Sequence, residues 1–136
     1  GGAVAANKLD DYEEGTWTGT LTGSTGAPNT AQTTTGKYTK VGNTVTVVAT
    51  FANKDVTGVT GFVEVTGLPF TYTGAIGEAQ LGFFVNNRGS SGQHAGYLQP
   101  SSTTLGQMNN TGSPLSWAST GGGVFAYLTI TYITAS

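Results

Sequence analysis

A chain of 136 residues with a formal net charge of -2 and no cysteine is sized for one domain, cannot use disulfides, and lacks the basic patch that nucleic acid or an anionic membrane would need. Its few cations, Lys8, Lys37, Lys40, Lys54 and Arg88, are scattered, and no apolar run approaches the ~20 residues of a membrane-spanning helix. Leu, Ile, Val and Phe together number 28, which implies a thin core and points to oligomerisation as its supplement, while 25 Thr and 9 Ser carry solubility in place of charge.

The opening Gly1-Gly2, without an initiator Met or leader pattern, reads as that of an excised fragment. Residues 1–15 form an acidic entry arm, and 16–136 form the single domain. A first strand is expected over Thr16 to Thr22, with Trp17, Gly19 and Leu21 on one face and threonines on the other. Gly23 to Thr35 is a Gly/Ser/Thr/Asn-rich loop. The clearest hairpin pairs Lys37 to Val41 with Thr44 to Phe51 through a Gly42-Asn43 turn, and Val45, Val47, Ala49 and Phe51 share its core face.

Gly61 to Thr66 is a further strand, running into Gly67-Leu68-Pro69-Phe70, where proline ends pairing and the apolar neighbours fold back onto the core. Ala79 to Asn86 reads as a strand, Asn87 to Gly92 as a polar turn, and His94 to Gln99 and Thr103 to Met108 as weaker strands. Asn109 to Gly123 is a loop holding Trp117. The last strand, Val124 to Thr134, places Ala126, Leu128, Ile130 and Tyr132 on one face and Phe125, Tyr127 and Ile133 on the other, so it lies centrally or between a core and a subunit interface. No segment has a helical apolar period, and the expected fold is an all-β antiparallel sandwich, jelly-roll-like, of about eight strands.

Four segments carry a resemblance. They are Leu9 to Leu21, with its Asp-Asp-Tyr-Glu-Glu-Gly-Thr-Trp-Thr run, then Gly36 to Val45, Thr66 to Phe70, and Leu128 to Thr134. In order and spacing this set resembles the recurrent distal or C-terminal β-sandwich domain of bacteriophage tail fibre and tail spike proteins. The resemblance implies a homotrimer on the virion surface, joined to an upstream fibre segment and attaching to a host-surface glycan or outer-membrane component. One departure is Gly19, where proline is expected, which loosens the start of the first strand. The matching segments are framework, and Gly23 to Thr35 and Arg88 to Gly123 are where specificity would vary.

The chemistry-bearing residues point to binding rather than catalysis. The arm acids Asp10, Asp11, Glu13 and Glu14 lack the spacing of a calcium loop and read as a solvated junction with Tyr12 and Trp17 packed beneath. Asp55, Glu64 and Glu78 fall in separate segments and mark no glycosidase pair, and His94 has no nucleophile motif beside it. Asn109-Asn110-Thr111 is a formal glycosylation sequon, and the Gly-rich runs are turns without the Lys-Ser/Thr of a phosphate loop. No metal and no cofactor is expected. A sugar site would combine Trp117 and Tyr97 with Asn86, Asn87, Arg88, Gln93, His94, Gln99 and Asn109; the plainer role of the two aromatics is to close the end of the sandwich. The rival functions are a trimeric cap or capsid-decorating domain without a ligand, and, behind it, a polysaccharide-degrading enzyme.

Overall fold

The computed structural model describes residues 11–74, 81–87, 95–108, 112–118 and 120–135, with side chains left undescribed over 81–86. Eight strands follow one another: β1 (Tyr12–Gly23), β2 (Gln32–Val41), β3 (Thr44–Lys54), β4 (Val63–Thr66), β5 (Leu81–Asn86), β6 (Ala95–Leu98), β7 (Leu105–Met108) and β8 (Val124–Ile133). Among the described residues there is no helix. The strands are hydrogen-bonded in the order β1-β2-β3-β8-β5-β6-β7-β4, and antiparallel pairing of β4 with β1 closes the ring. The sequence leads to two stacked sheets; the structure is instead one closed sheet. Alternation along single strands is the same in both architectures, because only the order of strands around the sheet separates them.

Alternation decides the interior. β8 alternates buried and exposed along its whole length, placing Val124, Ala126, Leu128, Ile130 and Tyr132 inside. Val45, Val47, Ala49 and Phe51 of β3 and Trp17, Gly19 and Leu21 of β1 also point inward, as their period-2 pattern requires. Outward positions are largely threonine: Thr16, Thr18 and Thr20 on β1, Thr44, Thr46 and Thr50 on β3, Thr129 and Thr131 on β8. This polarity is the inverse of a membrane-spanning barrel, whose apolar band faces out.

β1 begins at Tyr12, four residues before the expected start, because residues 12–15 pair with Val41 to Tyr38 of β2. The register then runs unbroken to Leu21↔Gln32. Gly19 therefore does not loosen the strand; it lies buried where a Cβ would stand only 3.0 to 3.1 Å from the Trp17 and Phe51 rings, so its bareness makes room for both. Gln32 to Thr35, expected in the loop, extend β2. Three cross-strand pairs set an aromatic ring against a bare glycine: Trp17 against Gly36, Tyr38 against Gly15, and Tyr97 against Gly106. Each ring covers backbone that a side chain would otherwise shield, the arrangement known to rescue glycine in sheets.

The hairpin turn uses positive φ at Gly42 alone (61°), which suits a turn with glycine in its first central position. The 67–70 corner folds across one end of the barrel as expected. Leu68 is buried, Phe70 meets the Tyr38 ring edge-on at 5.2 Å, and the Lys40 Nζ lies 5.7 Å from the Phe70 ring centre. The Tyr132 hydroxyl, pointing up from the core, donates to the Phe70 carbonyl (2.9 Å) and accepts from the Phe70 N–H (3.3 Å). Burial pushes its pKa up to about 12, more than the Phe70 backbone contact lowers it. The opposite end is closed by residues 115–117, with Leu115 N bonded to the Gln107 carbonyl and Trp117 N to the Gly61 carbonyl.

Candidate functional site

Of the expected sugar-binding set, Trp117, Asn87, Tyr97 and Gln99 have described side chains. Arg88, Gln93, His94 and Asn109 lie outside the described residues, as do Glu78, Asp10 and the sequon, and the Asn86 side chain is likewise undescribed. Trp117 closes the barrel end: its ring packs against the core and its Nε1 donates to the Thr22 carbonyl at 3.1 Å. Asn87 ties β5 to the start of β8, its Nδ2 donating to the Gly123 carbonyl (3.1 Å) and its Oδ1 accepting from Phe125 N (2.9 Å). Tyr97 and Gln99 do come together, on the outer face of β6 and beside Glu64 of β4. There the Gln99 Nε2 donates to Glu64 Oε2 at 2.9 Å, and burial, then the Glu64 charge, raises the Tyr97 pKa.

The acids of the arm separate onto opposite faces. Glu13 accepts the Tyr38 hydroxyl (2.6 Å) and Glu14 the Tyr12 hydroxyl (2.7 Å), and these bonds raise the pKa of each tyrosine. Tyr12 is 54% exposed and does not pack beneath the arm. It lies five positions before buried Trp17, an odd spacing that puts the two rings on opposite faces of one strand. Asp55 accepts from the Thr57 N–H (3.0 Å) and hydroxyl (2.6 Å), holding a tight local turn. Among the described residues, no three His, Cys, Asp or Glu side chains converge on a point that would hold a metal ion.

An open groove of about 460 Å³ lies on the outer face over β2, β3 and β8, lined by Thr35, Lys37, Val48, Thr50, Tyr127 and Thr129 together with backbone of Gly36, Ala49 and Leu128. Its origin is a fork. The β2–β3 ladder stops at Lys37↔Val48 although both strands continue, β2 back to Gln32 and β3 on to Lys54. Beyond the fork, side chains bridge the strands: the Thr34 hydroxyl donates to the Thr50 carbonyl (2.8 Å), and Gln32 Oε1 accepts from Asp55 N (3.0 Å). Tyr127 stands 46% exposed at one wall, with Val48 at 40% and Phe125 at 38% beside it.

A second groove of about 340 Å³ adjoins on the far side of Lys37, lined by Glu14, Thr16, Tyr38 and Thr39. The two grooves share Lys37 alone, and together this trough spans four strands with one exposed tyrosine, several hydroxyls and one ammonium. Volumes of this order match small-ligand clefts, roughly 300–1,000 Å³. The trough was missed in sequence because its residues come from strands far apart in the chain. Its one legible sign was the apolar outer face of β8, which the alternation had marked for an interface.

No protein-family model matches the chain, and no curated protein matches it.

Proposed function

We propose that the chain is a distal domain of a bacteriophage tail fibre or tail spike, and that it attaches the virion to a host-surface receptor, a glycan foremost, as part of a homotrimer. The observation that carries this reading is the trough across β1, β2, β3 and β8. It offers an exposed tyrosine ring and threonine hydroxyls, the two kinds of surface a sugar presents partners for, on a rigid closed sheet. The four segments resembling the fibre domain support it from the sequence side. Of these, the 67–70 corner is tied to Tyr132 at a barrel end, and the closing strand pairs on both sides, with β3 and with β5. Asp55 and Glu64 are each engaged in hydrogen bonds, with Thr57 and with Gln99.

A second reading is favoured by the exposed Val48, Phe125 and Tyr127, which would equally suit a buried contact between copies in a cap without a ligand. Fluorescently labelled chain titrated onto host cells separates the two. Saturable binding, competed by unlabelled chain, supports attachment; no saturable component on any host, with a stable trimer by light scattering, leaves the capping role.

A further inference from the structure

Lys37 occupies a particular place in the trough. It lines both grooves, so any extended molecule lying along them passes its side chain. On the outer face it stands in a cross-strand row between Thr16 of β1 and Val48 of β3, and Val48 in turn pairs with Thr129. Its neighbours in that row are therefore hydroxyls and a methyl-bearing side chain, not carboxylates. Glu14 pairs with Thr39 and stands one diagonal step from Lys37 on the same face, with its Oε2 engaged by the Tyr12 hydroxyl. Among the described residues no carboxylate makes an ion pair with the Lys37 ammonium.

We infer that the two grooves form one track for an extended acidic glycan, whose carboxylate pairs with the Lys37 ammonium while an adjacent ring lies against Tyr127. This rests on the attachment reading above and assigns it a place and a ligand class. The Tyr127 ring offers an apolar face to the C–H edge of a pyranose, and the Thr35, Thr50 and Thr129 hydroxyls can both donate and accept toward ring hydroxyls. Glu14 repels a carboxylate on the β1 side of Lys37, so the acidic unit belongs to the half of the track between Lys37 and Tyr127.

The test titrates the intact chain by calorimetry with uronic-acid and sialic-acid oligosaccharides, each beside its carboxyl-reduced form. At least one acidic member binds roughly 5-fold tighter than its reduced form, and the difference shrinks as salt is raised. Lys37→Gln removes that difference and Lys37→Arg keeps it; Tyr127→Ala weakens both forms by about 10-fold. Equal binding of acidic and reduced forms, no binding by any acidic member, or a Lys37→Gln variant indistinguishable from the parent overturns the inference. A change in assembly mass on Tyr127→Ala also overturns it, since that face would then be a contact between copies. If labelled chain binds host cells and both variants bind equally well, the track is wrong and attachment stands. If the parent binds no host cell, attachment itself falls.

Discussion

Replacing Tyr132 by Phe removes one oxygen from the centre of the structure and leaves the ring in place. That oxygen serves both backbone groups of Phe70, at 2.9 Å to the carbonyl and 3.3 Å to the N–H, and it is what ties the 67–70 corner to the floor of the barrel. Tyr132 is fully buried, whereas Phe70 is half-buried. The loss is therefore about 1–2 kcal/mol, at the low end of the cost of orphaned buried partners. For a chain of this length that lowers Tm by roughly 3–8 °C.

The same hydroxyl makes the loss depend on pH. Its folded pKa, about 12, lies above the ordinary value of 10.0, so the folded state holds the proton more tightly. The corresponding stability is fully present below pH ~10 and is lost as pH rises from 10 through 12, a total of about 3 kcal/mol. Tyr132→Phe has nothing to ionise there, and the raised pKa values of Tyr12 and Tyr38 cancel between the two proteins. Urea melts at intervals from pH 7 to 12 should show the parent ahead at neutral pH, its lead shrinking above pH 10 and the order reversing by about pH 12. Equal stability at pH 7, or parallel curves to pH 12, would refute the role given to this hydroxyl.

Three further substitutions probe the framework. Gly67→Ala is expected to cost at least ~2 kcal/mol in denaturant melts, because φ there is +90° and a Cβ would stand 2.4 Å from the Thr18 carbonyl oxygen. Gly36→Ala should cost about 1–3 kcal/mol and shift tryptophan fluorescence, since the added methyl meets Trp17 Nε1 at 2.4 Å and the Val48 oxygen at 2.5 Å. Trp117→Phe keeps most of the packing and loses the bond to Thr22, so stability falls by about 1 kcal/mol while host-cell binding is unchanged. A loss of binding with stability intact would restore Trp117 to the ligand site.

The strands were largely legible before the fold was known. The hairpin from Lys37 to Phe51 and the closing strand are found within a residue or a few of their expected bounds, because period-2 alternation is strong there and a Gly-Asn turn fixes the register between them. β1 and the front of β2 were less visible. Glu13 and Glu14 look like solvent-loving arm, and Thr33 to Thr35 like loop, yet each becomes strand because the other supplies its hydrogen bonds. At Trp117 the sequence left a sugar platform and closure of the sandwich end side by side, and the bond from its Nε1 to the Thr22 carbonyl shows how the ring is held at the barrel end.

What the sequence by itself determined is the class of structure and the inner face of each strong strand, since alternation, glycine and proline act over a few neighbouring residues. The order of strands around the ring, the fork between β2 and β3, and the trough that Lys37 shares with Tyr127 of β8 were decided only in three dimensions. These features depend on pairing between segments up to some ninety residues apart, here Lys37 and Tyr127, and local pattern carries no record of which distant edge a strand will meet.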